Sequence, residues 1–193
     1  MIKTNLLIAI VVLLKSSLLI AQSEYEPTPA YPFGQPNPEA PNEIRDYQPL
    51  IGICDCRSYR LGKDNEWQSP VNMTWEFKYI MNGMAIQDQT LKEDGIHSGS
   101  IRQYSIDSSS WYVHYYTSAV ASPNLRAWKG GKIGDEIILY SSQKSPNGLD
   151  GFYKIRFYNI SDKGFNWLGQ WVNMDESIVF PTWKIDCKRR VNK

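Results

Sequence analysis

The residues best suited to chemistry in this chain are few and scattered. Cys54-Asp55-Cys56 lies near the start of the patterned region, Cys187 near its end, and the two histidines are His97 and His114. Metal sites and nucleophilic triads are built from these residue types, but at other spacings. No His-x-x-x-His or Cys-x-x-Cys occurs, and no Gly-x-Ser-x-Gly elbow is present. Gly130-Gly131-Lys132 lacks both the spacing and the following Ser/Thr-led helix of a phosphate loop, and reads as a hairpin turn. Glu76 falls on an outward position, and Asp88 has no evident partner. The sequence therefore assigns no catalytic residue, no metal ligand and no cofactor.

What remains is an arginine among aromatic rings. Arg102 shares its parity with Tyr104, and the same rule groups Met73, Trp75, Phe77 and Tyr79, then Trp111, Val113 and Tyr115, then Phe165, Trp167 and Trp171, then Trp183, Ile185 and Cys187. A guanidinium inside a dry core is costly without a partner, so an interior holding indoles and an arginine is a candidate cavity. The expected ligand-contacting set is Trp75, Phe77, Arg102, Tyr104, Trp111, Tyr115, Arg156 and Trp167, with Arg102 and Arg156 as polar handles. A small apolar body with an anionic or carbonyl end suits such a site. Plain core packing is the competing reading for each tryptophan, and Arg102 could simply pair with Asp88 or a buried carbonyl.

The elements that position these residues are strands. Short runs with alternating apolar residues occupy 50–61, 71–80, 84–91, 98–106, 111–117, 126–129, 136–142, 152–160, 165–173 and 179–188. Turn signals such as Met81-Asn82-Gly83, Glu93-Asp94-Gly95, Lys129-Gly130-Gly131, Pro146-Asn147-Gly148 and Asp162-Lys163-Gly164 separate them. This spacing predicts an all-β, antiparallel up-and-down barrel of about ten strands. The seven tryptophans and twelve tyrosines fit either its core or a stacking surface. A net charge of +1 gives no footprint for nucleic acid.

Ahead of the strands, Lys3, the apolar run from Leu6 to Leu14 and a small residue at Ala21 read as a signal peptide over 1–21. Lys15 interrupts the apolar stretch and argues against a membrane anchor. A proline-rich tether over 22–41 and a barrel domain over 42–193 follow. The protein is thus expected to be secreted or periplasmic, with no membrane contact after cleavage. In that oxidising setting Cys187 is expected to bridge to Cys56 or Cys54, since the first and last strands of a closed barrel are neighbours. Cys56 is preferred, because Gly52 marks the strand's entry and places Cys56 nearer its middle.

Several residues also carry a resemblance. Gly52-Ile53-Cys54 sits where lipocalin-like barrels have Gly-x-Trp, and Gly99-Ser100-Ile101-Arg102-Gln103-Tyr104 followed by Trp111 is similar to the middle of a secreted bacterial lipocalin-like family of unsettled function. Tyr158-Asn159-Ile160, Phe165-Asn166-Trp167, Asp175, Trp183 and Lys188-Arg189-Arg190 look like that family's C-terminal half, so the resemblance runs from Pro49 to Arg190. It implies a calycin-type barrel with a central pocket. Two departures stand out: Cys54 replaces the tryptophan associated with plugging the barrel floor, and the turn from Asp175 to Pro181 is longer and lacks glycine. Haem-binding relatives use a wall histidine, whereas His114 has outward parity and His97 precedes a strand at a turn.

The resulting expectation is an exported binding protein for a small hydrophobic or amphipathic molecule. A cofactor-free enzyme, an isomerase or lyase acting on a small acid or ketone through Tyr104 and Arg102, is the first alternative. A carbohydrate-binding module with tryptophans aligned on an outer face is the second.

Overall fold

A computed structural model describes residues 23–190; the signal-peptide reading of residues 1–21 lies outside them. Ten strands follow in chain order: β1 Gly52–Arg60, β2 Val71–Ile80, β3 Ala85–Lys92, β4 Ser98–Ser105, β5 Ser110–Thr117, β6 Arg126–Ile133, β7 Glu136–Ser142, β8 Gly151–Ser161, β9 Gly164–Asn173 and β10 Val179–Arg189. Each is antiparallel to the next, and β10 pairs with β1 to close the barrel. Alternation decides which side faces in. In β2, Met73, Trp75, Phe77 and Tyr79 are buried while the residues between them are not. No helix among the described residues is long and apolar enough to cross a membrane.

One expected turn proves to be strand. Gly130 and Gly131 pair with Leu139 and Ile138 inside the β6–β7 ladder, and the chain reverses between Ile133 and Glu136. A Cβ on Gly130 would lie 2.1 Å from the Ile138 carbonyl oxygen, so this glycine permits a close backbone approach within the ladder.

A 3₁₀ helix, Asn42–Leu50, closes one end of the barrel, burying Ile44, Tyr47 and Leu50. Glu43 accepts from the Tyr104 hydroxyl at 3.1 Å, and Asp46 accepts from Trp111 Nε1 at 3.0 Å. The Arg189 guanidinium donates to the carbonyls of Pro49, Leu50 (3.2 Å) and Ile51 (2.9 Å), satisfying the acceptors a helix end leaves open.

The proline-rich stretch is not a free spacer. β1 begins at Gly52 opposite Phe77, so the Tyr79 amide lies beyond β1, and it donates to Phe33 O at 2.9 Å. Tyr25 N donates to Asn82 Oδ1 at 2.9 Å and Asn37 N to Gly83 O at 3.2 Å. Residues 23–41 therefore fold onto the β2–β3 turn at the closed end. Proline removes amide donors from this segment, and the remaining polar groups bond to the turn instead of forming a further strand.

Cys56 and Cys187 face each other in the β1–β10 register and form a disulfide, as expected from the sequence. The bridge fits an oxidising, exported compartment. Cys54 is free and buried. Closing a loop across a separation of 131 residues is worth about 5 kcal/mol in the chain-entropy model. Denaturant titration of Cys187→Ser should show a loss of about 3–5 kcal/mol, and Cys54→Ala a loss of about 1 kcal/mol; equal losses for the two variants would contradict this assignment.

Desolvation raises the Asp46 pKa above 3.8, reinforced by Glu43 and opposed by the Trp111 bond and Lys132. The folded state binds this proton more tightly than the unfolded chain, so the ionised carboxylate costs stability near neutrality, and the cost fades as pH falls through the raised folded-state pKa toward 3.8. Asp46→Asn keeps an acceptor for Trp111. Its thermal midpoint at neutral pH should equal or exceed that of the parent, with the difference shrinking on acidification; a clear drop at neutral pH would show that the charge stabilises.

Candidate functional site

The barrel interior is divided along its axis. Toward the closed end it is filled by aromatic rings in edge and tilted contacts, including Tyr47–Trp111 at 4.8 Å, Trp75–Phe77 at 5.3 Å and Phe157–Phe165 at 5.8 Å between centroids. Toward the other end the rings line the wall without meeting across the axis, leaving a cavity of about 330 Å³. Its walls include Val113, Trp128, Tyr153 and Ile155, with Arg60, Arg126 and Trp183 near the strand ends that form the mouth. This volume lies at the small end of the range for ligand sites.

A buried polar network lies where the filled half meets the cavity. Asp88 on β3 accepts from Trp75 Nε1 at 2.8 Å, from the Ser100 hydroxyl and from the Arg102 guanidinium. The register of β3 and β4 brings this about, since Asp88 faces Ser100 and Ile86 faces Arg102. The Arg102 guanidinium also lies over the rings of Tyr47 and Phe77 at 5.1 and 5.0 Å. Burial opposes its charge, but Asp88 and Tyr47 outweigh that penalty and hold its pKa above the ordinary guanidinium value. Burial pushes the Tyr47 phenol up to about 12, so it stays neutral at physiological pH. The network is charge-compensated: Arg102 is held to Asp88 through Nη1, while its Nε is buried without a hydrogen-bond partner.

Of the residues expected at the site, Trp75, Arg102, Tyr115 and Trp167 line the cavity. Phe77 and Trp111 are fully buried in the aromatic cluster beneath it. Tyr104 packs at the closed end and donates to Glu43, so it and Arg102 do not form a pair facing the cavity. Arg156 is on the outer face: Ile155 and Phe157 point inward, and Arg156 forms a two-pronged pair with Glu136 through Nε at 2.9 Å and Nη2 at 2.6 Å. Trp75, Trp111 and Trp167 are 5, 0 and 5% exposed, leaving no solvent-facing row for a sugar.

The cavity also recruits Arg60, Arg126, Trp128, Tyr153 and Trp183, none of them in the ligand-contacting set expected from sequence, although Trp183 was read as inward-facing. Parity held the signal, because Arg60 is in step with Cys54 and Cys56, and Arg126 with Trp128. The Arg60 guanidinium stacks on Trp183 at 3.5 Å, and that of Arg126 lies 4.9 Å from the Trp128 ring and 5.2 Å from that of Tyr153. Tyr153 is hydrogen-bonded to Thr182 at 3.0 Å, its hydroxyl seated where a Cβ on Gly169 would lie 2.3 Å away.

A larger depression of about 720 Å³ crosses the outer face of β1, β2 and β10. Among the groups lining it, Asp186 accepts from Asn166 at 2.6 Å, Glu93 accepts from Asn72 at 3.0 Å, and Asp55 accepts from Arg190. Among the described residues no three His, Cys, Asp or Glu side chains gather as a metal site requires.

A closed ten-stranded antiparallel barrel with an aromatic cavity at one end is consistent with a calycin-like fold. No protein-family model matches the sequence, and no curated protein matches it.

Removing one member of a buried ion pair strands the other charge at a cost of about 3–5 kcal/mol, whereas replacing both by apolar groups is close to neutral. Asp88→Ala should therefore destabilise the barrel by about 3–5 kcal/mol in chemical denaturation, and the double variant Asp88→Leu/Arg102→Met should recover most of that loss. A double variant no more stable than Asp88→Ala would refute the stranded-charge account.

Proposed function

We propose that this protein is an exported calycin-type carrier, related to the secreted lipocalin-like proteins its motifs resemble, that holds one small amphipathic molecule in the open half of the barrel. The supporting observation is the cavity itself: an apolar and aromatic chamber of about 330 Å³, bounded below by packed rings and the Asp88 network. Apolar area removed from water there supplies binding free energy, and rings fixed by the barrel pay little ordering cost. Its size favours compact aromatic or short-chain molecules over long acyl chains. The disulfide supports the exported setting.

The cofactor-free enzyme reading loses its supporting pair, since Tyr104 points to the closed end. Sugar binding loses its outward tryptophans. A carrier needs only a fitted cavity.

Ile155 lines the chamber from β8 and is 8% exposed. Ile155→Trp should fill the cavity and abolish binding of small aromatic acids and alcohols, followed by tryptophan fluorescence and native mass spectrometry. Val113→Phe serves as a second filling variant should the first overpack the barrel. Retained affinity in a folded filling variant would place binding elsewhere, and no uptake by the parent protein below high-micromolar concentrations would reject the carrier reading.

A further inference from the structure

Five charged side chains line the cavity: Arg60, Asp88, Lys92, Arg102 and Arg126. Three are neutralised in place, Asp88 and Arg102 by each other and Lys92 by Asp94 at 2.8 Å. Arg60 and Arg126 have no carboxylate within salt-bridge distance among the described residues. The other cavity cations have anionic partners, as do Arg156 and Arg190 on the outer surface. The two unpaired ones line the mouth from opposite sides of the ring, β1 and β6 being five strands apart.

Their surroundings sharpen the contrast. Both are solvent-exposed along part of their length, yet desolvation by the rim lowers both guanidinium pKa values. Both charges reach Tyr153: its pKa is raised by desolvation and drawn back by the Thr182 bond, Arg60 and Arg126. Arg126 is steadied by Gln143 and by the faces of Trp128 and Tyr153, and Arg60 by the face of Trp183. Below them Trp128 Nε1 is buried without a hydrogen-bond partner, a donor on the same wall. Two guanidinium groups held by aromatic faces on facing walls of the mouth, with donor capacity to spare, offer the charge and donors that a planar oxyanion takes.

We propose that Arg60 and Arg126 form an anion clamp at the mouth, which binds the carboxylate of a compact amphipathic acid whose apolar body points down toward Trp75 and Val113. This specifies the ligand class of the carrier reading and rests on it. The orientation follows from charge. A carboxylate driven to the floor would meet the negative charge of Asp88, whose oxygens already receive three donors, and an arginine whose charge Asp88 offsets and which has only its Nε unpartnered. At the mouth the same carboxylate meets Arg60 and Arg126, while the nearby Asp94, whose charge reaches Arg60, is already paired with Lys92. The ligand therefore enters apolar end first, and its head remains near water.

The probes are 4-phenylbutanoate and its neutral isostere 4-phenylbutanamide, titrated into the full mature chain by calorimetry. The parent protein should bind the acid at least about tenfold more tightly than the amide, since hydrogen bonds to charged groups are worth more than neutral ones. Added salt should weaken the acid and leave the amide unchanged. Arg126→Gln and Arg60→Gln should each cost the acid about tenfold while holding the amide within about twofold. The outer-face control Arg156→Gln should change neither. The parent comparison decides the question even should a variant fail to fold.

Equal binding of acid and amide, or discrimination that survives the folded double variant Arg60→Gln/Arg126→Gln, would overturn the clamp and leave the carrier reading standing. Failure of both probes, and of shorter and longer acid–amide pairs, would overturn the two together.

Discussion

Pairing β10 with β1 obliges ten strands to share one interior, and the remaining features follow from how that interior is divided. A closed sheet has no edge to protect, and its inward residues must either fill the lumen or line a space within it. The β1–β10 seam carries the burden of closure because it joins the most distant parts of the domain. Seven residue pairs run along it, with a covalent bond at Cys56–Cys187. Arg189, at the end of β10, extends the same seam onto the carbonyls of the 3₁₀ helix, so the strand that closes the wall also fastens the floor.

Within that wall the side chains set up a gradient. Interlocked rings fill the lower half and exclude water, and there a charge survives only with compensation, which Asp88 and Arg102 give each other. Above this pair the rings withdraw to the wall, and the cations at the strand ends are half-solvated and unpaired. The ion pair thus marks a boundary between an interior that specifies the fold and one that can receive something else. Its partners on β2, β3 and β4 also tie three consecutive strands together from inside.

Much of the wall was legible because a strand states its two faces in its own sequence. Trp75 and Phe77 alternate with Glu76 and Lys78, and no other arrangement buries the rings without the charges. The cysteines were legible for a related reason, since closure makes the first and last strands neighbours. Depth along the barrel axis was not, because parity distinguishes inside from outside but not floor from mouth. Trp111 and Trp167 therefore looked equivalent, although one belongs to the packed floor and the other to the cavity. In β8, Phe152, Ile155, Phe157, Tyr158 and Ile160 occupy both parities, which hid the outward direction of Arg156. The 3₁₀ helix is nine residues long with Pro49 inside it, too short for a periodic signal, and its place depends on contacts with Trp111 and Tyr104 far along the chain.

The spare thiol has a bearing on how this molecule matures. Cys54 and Cys56 are two residues apart on the same face of β1, so in an unfolded chain either presents nearly the same loop to Cys187. Entropy cannot discriminate between them; only strand register can. Once β1 and β10 are aligned, Cys54 lies opposite Arg189 rather than Cys187, and burial raises its pKa, suppressing the thiolate that would attack the bridge. Oxidation ahead of alignment yields scrambled chains, whereas alignment ahead of oxidation yields one isomer that its own packing shields from exchange. The choice between the two isomers therefore rests on the order of those two events.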